Sequence, residues 1–419
     1  MKRQDATPQS AHDPTTSSWI KQLIGDVVSE TLKDIPPHLL DTHTGVLCDH
    51  DSWVSHFKKS QEYHKLLLSA PALDTFLPPS HICDVVSTYF QYVTLSHRWE
   101  KFEPLLWDIK GQVIYDLDSV HGVLKLEGFC LTSGQHGYLW AWSDTCCIDK
   151  ESSVELQEAI RSMFSWYRRS ALTMVHLADI SDTDVLNSSG WFKCSWTLQE
   201  LLAPANMLFF RQDWSLYKDG TSNHKENSTV IHELEQVTGI VSGHLTHFCL
   251  GMDDARSRLQ WASMHCTMWP EDIAYSLMGV FNLHIPVLYG ESVETTIGHL
   301  LTEVISKLDD TLILDWVGQA SSFHSCFPAT LALYQMLPAF HPFLADPISC
   351  SSMWCYNQVS HVCFFSSLFH YHPTDTLWTS IVRFPFHFYY VLLYTCTGKP
   401  PFSPFWQFTP SLSRDHNVM

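Results

Sequence analysis

Residues 152–177, SSVELQEAIRSMFSWYRRSALTMVHL, decide the fold of this 419-residue chain. The hydroxyl of Ser152 and the carboxylate of Glu155 form an S-x-x-E capping box, which predicts that a helix begins here. Apolar residues then recur at three- and four-residue steps as far as Tyr167, as on the buried face of an amphipathic helix. The β-rich run 171–177 follows at once. This order is typical of a parallel sheet, since parallel strands need crossover connections.

Three further short runs, 92–96, 138–144 and 206–210, have the same β-rich character. Helical patterns separate the later ones. We therefore expect an α/β domain over residues 88–212, in which helices flank a parallel sheet.

The segments on either side of this domain differ from it in composition. Residues 1–87 hold a polar stretch and an amphipathic helix that runs from Trp19 to Ile35 and stops before Pro36. Residues 226–318 predict a mostly helical extension, with helices over 270–281 and 291–308.

The last segment, 319–419, is poor in charge and rich in aromatic residues and proline. From residue 320 onward it holds only three acidic and three basic residues, far below the usual share of about one in four. We expect either an irregular, disordered extension or a reading frame that continues past a true exon end, and we favour the second. Transcript sequencing that stays continuous through Met419 would contradict the second interpretation.

The charge balance excludes several classes of protein. Lys and Arg number 25 against 44 Asp and Glu, a net charge of −19, which opposes bulk binding to nucleic acid. The first residues contain no apolar signal region, and the apolar run 384–398 is shorter than the roughly 20 residues of a spanning helix. We therefore expect no membrane span. The 13 cysteines are odd in number, so we expect reduced thiols and a cytoplasmic location.

Common catalytic and metal-binding motifs are absent. The sequence lacks a P-loop, a dinucleotide-binding G-x-G-x-x-G after a strand, H-E-x-x-H and G-x-S-x-G. It has no C-x-x-C pair and no spaced ligand quartet, and the adjacent Cys146 and Cys147 fit buried, inert thiols better than ligands. We expect neither a metal nor a resident cofactor.

Three blocks combine unusual residue types near the ends of predicted strands, where open α/β sheets place their ligand crevice. They are YVTLSHRWE at 92–100, YLWAWSDTCCIDK at 138–150 and CSWTLQELLAP at 194–204. In this order they resemble the blocks of the fungal heterokaryon-incompatibility (HET) domain family, approximately (hydrophobic)-L-S-x-x-W-G, L-W-x-D-x-x-C-I-(D/N) and R-G-W-T-x-Q-E-L. The resemblance continues through 258–291 to about 318, and it covers neither residues 1–85 nor the tail.

Two positions depart from the family pattern. The Arg-Gly that precedes W-T-x-Q-E in the family is Cys194-Ser195 here, and the Gly after the tryptophan of the first block is Glu100. If that arginine binds a phosphate, Lys193 would have to replace it as a point charge without the bidentate fork.

HET domains in turn resemble Toll/interleukin-receptor (TIR) domains, flavodoxin-like α/β modules of which some hydrolyse NAD. The segment from Trp196 to Leu201 resembles the TIR segment W-C-x-x-E-L, and 95–98 resembles the first TIR box. This resemblance implies a flavodoxin/TIR-like sheet and a catalytic role for Glu200. A carboxylate beside the ribose would stabilise the oxocarbenium-like state of nicotinamide–ribose cleavage.

The resemblance also implies a set of residues that bind NAD as the substrate: Ser96, His97, Arg98, Trp99, Asp144 and Trp196. Either indole would stack on nicotinamide or adenine, and the guanidinium would pair with the diphosphate. Structural alternatives exist for most of the candidates: a helix-start carboxylate (Glu200), a core indole (Trp196), a strand-end turn hydroxyl (Ser96), a loop anchor (Asp144) and a surface ion pair (His97 and Arg98).

The function that the resemblance implies is non-self recognition and programmed cell-death signalling in a fungus, with NAD hydrolysis as the activity. The alternative is a non-catalytic TIR-like adaptor that self-associates or recruits other death-signalling proteins, which the Cys194-Ser195 departure favours. A third interpretation is a decayed paralogue in which residues 1–318 fold poorly.

Overall fold

The computed structural model describes residues 14–69, 79–118, 120–308, 311–336, 377–383 and 389–395. The chain divides into two compact units, Met1–Pro338 and Ala339–Met419. The first unit contains a central sheet with helices around it.

The helices described in the first unit follow in chain order: α1 (Pro14–Leu32), α2 (His50–Lys59), α3 (Gln61–Ser69), α4 (Pro79–Tyr89), α5 (Leu106–Ile109), α6 (His121–Gln135), α7 (Ser153–Arg169), α8 (Ser195–Leu202), α9 (Ser228–Thr238), α10 (Ser242–Thr246), α11 (Ala255–Ala262), α12 (Asp272–Tyr275), α13 (Met278–Phe281) and α14 (Val293–Lys307). Its strands are β1 (His38–Asp41), β2 (Leu47–Asp49), β3 (Tyr92–His97), β4 (Trp140–Trp142), β5 (Leu172–His176) and β6 (Met207–Phe210).

A mixed sheet with the strand order β2-β1-β4-β3-β5-β6 forms the centre of this unit. Strands β3, β4, β5 and β6 are parallel to one another. Every residue of these four strands is buried, as expected when helices cover both faces of a sheet. The predicted α/β fold is therefore confirmed, and each of the four predicted strands is present.

The strands β1 and β2 extend the sheet beyond β4 as antiparallel neighbours. They lie in the segment 1–87, which precedes the predicted α/β domain. No strand was predicted in this segment. Runs of three and four residues carry too little alternation to be recognised from sequence. Leu39 and Leu40 are nevertheless fully buried, so this segment contributes to the core.

The order of the parallel strands locates a crevice. Numbered along the chain, they are arranged 2-1-3-4, which is the flavodoxin-like order. The chain moves to one side of β3 to form β4 and to the other side to form β5, so the connections diverge at the carboxyl ends of β3 and β5. Ser96 pairs with Val175 and His97 with His176 at this edge.

Helix α7 begins as predicted, although only half of the capping box forms. The hydroxyl of Ser152 accepts a hydrogen bond from the Glu155 N–H at 3.3 Å. The Glu155 carboxylate accepts from the N–H of Asp149 at 2.9 Å instead of from Ser152. Asp149 in turn accepts from the Ser152 N–H at 3.3 Å, so the two carboxylates share the capping of this turn.

The helical extension differs from its prediction at one place. The single helix expected over 270–281 is wrong, because the structure has two short helices there, α12 and α13, with Ser276 and Leu277 between them. The break lets Gly279 lie against the Phe164 ring of α7, where no space remains for a Cβ. The second predicted helix, 291–308, is confirmed as α14, capped by the hydroxyl of Ser292.

Residues 311–336 pack onto α11, although the sequence analysis placed most of them in the tail. Tyr334 is fully buried, and its hydroxyl donates to the Ile313 carbonyl at 2.7 Å. Arg256 of α11 donates to the Tyr334 carbonyl at 3.1 Å. These contacts extend the core well beyond residue 318.

In the second unit, β7 (Leu377–Arg383) and β8 (Tyr389–Thr395) pair antiparallel, with Leu377 opposite Thr395 and Arg383 opposite Tyr389. The remaining tail residues lie outside the described residues, so the tail prediction stays a prediction. Within the described ranges, no helix combines the length and apolar character that membrane crossing requires.

Candidate functional site

The candidate site is a crevice at the carboxyl ends of β3 and β5, the position predicted for an open α/β sheet. It encloses about 190 Å³, and its wall includes Arg98, Trp99, Glu100, His176, Asp179 and Trp191. Four of these follow directly from the two strands. Trp191 comes from the short 3₁₀ turn Gly190–Lys193, which precedes α8.

A buried hydrogen-bonded chain lies behind one wall of the crevice. The Trp191 indole N–H donates to the Ser96 hydroxyl at 2.9 Å, and this hydroxyl donates to the Glu200 carboxyl at 2.5 Å. Ser96 is fully buried and Glu200 is only 4% exposed. The structure therefore brings together two of the predicted site residues, with Trp191 between them and the crevice.

Burial controls the protonation of Glu200. Desolvation raises the pKa of this carboxyl well above its usual range, and the negative charge of Asp144 raises it further. The hydrogen bonds from Ser96 and Tyr167 act in the opposite direction and do not outweigh burial. Burial therefore favours the neutral carboxylic acid form of Glu200 over the carboxylate.

The opposite wall of the crevice is linked to the second predicted carboxylate. The Trp99 indole, 39% exposed, donates its N–H to Asp144 at 2.8 Å. The Lys150 ammonium lies over the face of the Trp99 ring, 3.6 Å from its centre, and this cation–π contact also holds the ring in place. Lys150 also donates to the Thr145 carbonyl at 3.1 Å. Each indole of the crevice therefore donates its N–H to a polar side chain of one of the first two sequence blocks, Trp191 to Ser96 and Trp99 to Asp144.

Arg98 lies at the mouth of the crevice. It is exposed, and its guanidinium packs over Gly190, where a side chain would collide with it. Asp179 adjoins the same glycine and accepts from the Gly190 N–H and the Ser189 hydroxyl, each at 2.6 Å. Arg98 therefore borders the crevice as a cation next to an anchored carboxylate.

His97 faces away from Glu200. Successive side chains of a strand point to opposite faces, so the neighbours Ser96 and His97 cannot serve one site on one face. The His97 ring lies 3.6 Å from the buried Glu103 carboxylate, which also pairs with the buried Lys125. Burial opposes ionisation of Glu103, yet these two partners lower its pKa to about 2.

Trp196 also lies apart from the crevice wall. Its indole donates to Asp272 of the helical extension at 3.0 Å, and Tyr289 donates to the same carboxylate at 2.9 Å. Lys193, the suggested replacement for the family's arginine, is exposed, and its carbonyl accepts the Cys266 N–H at 2.7 Å. Trp196 therefore joins two parts of the fold, as its structural alternative expects.

Several residues of this region were absent from the predicted site, among them Trp191, Tyr167 and Asp179. Only the place of Trp191 in the structure shows that its indole separates the crevice from Ser96. Tyr167 is buried on α7, and Asp179 lies after β5. Of Trp191, Tyr167 and Asp179, only Asp179 could have been predicted from the sequence, because it lies two residues after the predicted strand 171–177.

Comparisons with known proteins match the segment that supplies most of the crevice wall. Residues 92–189 match the family model described as "Heterokaryon incompatibility protein (HET)". This segment of the chain is similar to a HET domain. This range includes the first two blocks and ends just before Trp191, so Glu200 lies outside it.

A curated relative supports this assignment. The chain is 38% identical over 237 residues to "Vegetative incompatibility protein HET-E-1" of Podospora anserina. The match covers 53% of this chain and 16% of the relative, so the chain spans only a small part of the length of this relative. No solved structure matches the chain.

Proposed function

We propose that this HET-domain protein acts in fungal heterokaryon incompatibility and cell-death signalling, and that its crevice binds NAD and cleaves the nicotinamide–ribose bond. One observation carries the catalytic part of the proposal. The crevice at the carboxyl ends of β3 and β5 has the indoles of Trp99 and Trp191 in its walls, and the buried carboxyl group of Glu200 lies behind Trp191. The link to incompatibility rests on the family match and on the similarity to the vegetative incompatibility protein HET-E-1.

The crevice residues suit a dinucleotide chemically. Trp99 offers a ring face for an aromatic base, and Arg98 offers a bidentate donor for a diphosphate. The described volume of about 190 Å³ is smaller than the roughly 300–1,000 Å³ of ordinary ligand pockets. The structure therefore fits a closed form that must widen before it admits NAD.

Movement of Trp191 would widen the crevice and change the chemistry of Glu200 in the same step. When the indole leaves, Ser96 loses a donor and water reaches the carboxyl group. Hydration removes the desolvation that holds the pKa of Glu200 up, so the group ionises. The resulting carboxylate would stabilise the positive charge that develops on the ribose during cleavage.

The test is nicotinamide release from NAD by the full-length protein, measured by chromatography over a range of protein concentrations. Glu200→Gln is the decisive variant, because an amide preserves the shape and the hydrogen bond from Ser96 but cannot ionise. Glu158→Gln, an exposed position of α7, is the matched control. We expect release with the wild type and the control and none with Glu200→Gln. Equal release by all three, or no release from folded wild type at any concentration, would reject the catalytic proposal.

A second candidate function is a non-catalytic module that binds a second copy of itself. Exposed apolar side chains concentrate between residues 102 and 124, and they are Phe102 (81% exposed), Leu105 (43%), Trp107 (51%), Val120 (48%) and Leu124 (49%). Phe102 adopts a φ of 66°, which is unusual for a bulky residue, and its backbone packs against Gly122 at the start of α6. Large exposed apolar surfaces are typical of protein interfaces.

Light scattering of the full-length protein tests this second candidate. We expect Phe102→Ser to shift association to higher protein concentration, whereas Leu68→Ser should not, although Leu68 on α3 is 78% exposed as well. A wild type that stays monomeric at all concentrations, or equal effects of both substitutions, would reject it.

A further inference from the structure

Cys194 and Cys266 lie side by side where the chain before α8 meets the chain after α11. The Cys266 N–H donates to the Lys193 carbonyl at 2.7 Å, and the Ser195 N–H donates to the Cys266 carbonyl at 3.0 Å. These two hydrogen bonds form a parallel bridge in which residues 194 and 266 are paired directly.

The pairing places the two thiols within range of a covalent bond. Neighbouring strands lie about 4.8 Å apart, and directly paired residues present their side chains on the same side. Disulfides join cysteines whose Cα atoms are roughly 4.4–6.8 Å apart. Both thiols are free in the structure, so the pair is reduced and needs only side-chain rotation to bond.

We propose that Cys194 and Cys266 are an oxidation site, at which a peroxide joins the two residues in a disulfide. Peroxide oxidises the first thiol to a sulfenic acid and releases one water as its O–O bond breaks. The second thiol then attacks this sulfur, the S–S bond forms, and the hydroxyl leaves as a second water.

The surroundings of the two residues determine which thiol reacts first. Cys266 is exposed, and its thiol lies 3.2 Å from the Lys193 carbonyl. Burial raises the pKa of the Cys194 thiol to about 11, so little thiolate forms there. Peroxide therefore reacts at Cys266, and Cys194 resolves the sulfenic acid.

The bond would connect the start of α8, the helix of Glu200, to the extension that follows the HET domain. It would close a long loop of chain, and loop closure of this kind stabilises the folded state. This inference stands independently of NAD hydrolysis, since it depends on the backbone bridge alone.

Peptide mapping of the full-length protein tests the proposal directly. The protein is treated with hydrogen peroxide, its remaining thiols are alkylated, and it is digested with trypsin. Cleavage produces 194–211 and 259–307, each with a single cysteine. We expect a new species that contains both peptides and has two hydrogen atoms fewer than their sum, and that disappears on reduction. The thermal midpoint of the treated protein should rise and should return after reduction.

Cys266→Ser should abolish both the linked species and the rise of the midpoint, whereas Cys249→Ser, a change at another exposed cysteine, should preserve both. Circular dichroism establishes that each variant is folded. Two results would overturn the inference: oxidation of Cys266 to sulfinic or sulfonic acid without a link to Cys194, or a link from Cys266 to a different cysteine.

Discussion

Burial of the Lys225 ammonium makes the free energy of unfolding of this protein depend on pH. The side chain is 3% exposed and lies in the short 3₁₀ turn beside β6. Its ammonium donates to the Pro204 carbonyl at 2.7 Å, and no carboxylate among the residues that the structure describes forms an ion pair with it. Burial lowers the pKa of Lys225 to about 7.

The direction of the effect follows from proton counts. The unfolded chain keeps an ordinary lysine pKa of about 10.4, so between pH 7 and 10 the unfolded state binds the extra proton. The contribution of Lys225 to the free energy of unfolding therefore rises with pH in this window, by at most about 1.4 kcal/mol per pH unit. Between pH 7 and 9 the contribution of Lys225 amounts to roughly 2–3 kcal/mol.

Urea unfolding of the wild type and of Lys225→Met between pH 7 and 9 measures this contribution. Other lysines and the tyrosines titrate in both proteins, so their effects cancel in the difference between the two free energies of unfolding. We expect that difference to shift by roughly 2–3 kcal/mol in favour of the wild type as pH rises. Lys59→Met, at an exposed position of α2, is the control and should give a constant difference. A constant difference for Lys225→Met as well would refute the reasoning.

Three further predictions concern packing and buried polar groups, and urea unfolding at pH 7 checks each of them. Glu103→Gln should lower the free energy of unfolding by about 3 kcal/mol because it leaves the buried Lys125 without its closest carboxylate, whereas Glu158→Gln should leave it unchanged. Trp191→Phe should lower it by about 1–2 kcal/mol because it removes the donor to Ser96; an unchanged stability would show that this hydrogen bond contributes nothing. Gly279→Ala should lower it by about 1–3 kcal/mol through collision with α7, and a stabilised variant would contradict the described contact.

The four parallel strands could be predicted because each is a run of buried, β-rich residues bounded by turn signals. Helix α7 could be predicted because Ser152 caps it and its apolar residues keep a helical period. The break between α12 and α13 could not, since nothing in residues 270–281 reveals that Gly279 must approach α7. That requirement is set by tertiary packing, which overrides local propensity.

The candidate site was predictable in part. The blocks placed Ser96 and Glu200 in one region through their resemblance to a family, and the structure joins them by a hydrogen bond. Successive side chains of a strand point to opposite faces of the sheet, so the sequence alone would have placed His97 and Ser96 on different faces. The partner of Trp196 was not available, because Asp272 comes from a distant segment of the chain.

The antiparallel strands β1 and β2 have a practical consequence for anyone who expresses the α/β domain alone. β1 pairs with β4, with Leu40 opposite Ala141 and Asp41 opposite Trp140. A fragment cut at residue 88 would lose this partner and expose one long side of β4 as a free row of backbone donors and acceptors. Open strand edges of this kind promote aggregation between copies. A soluble fragment should therefore begin before His38, well upstream of the region that the family model matches.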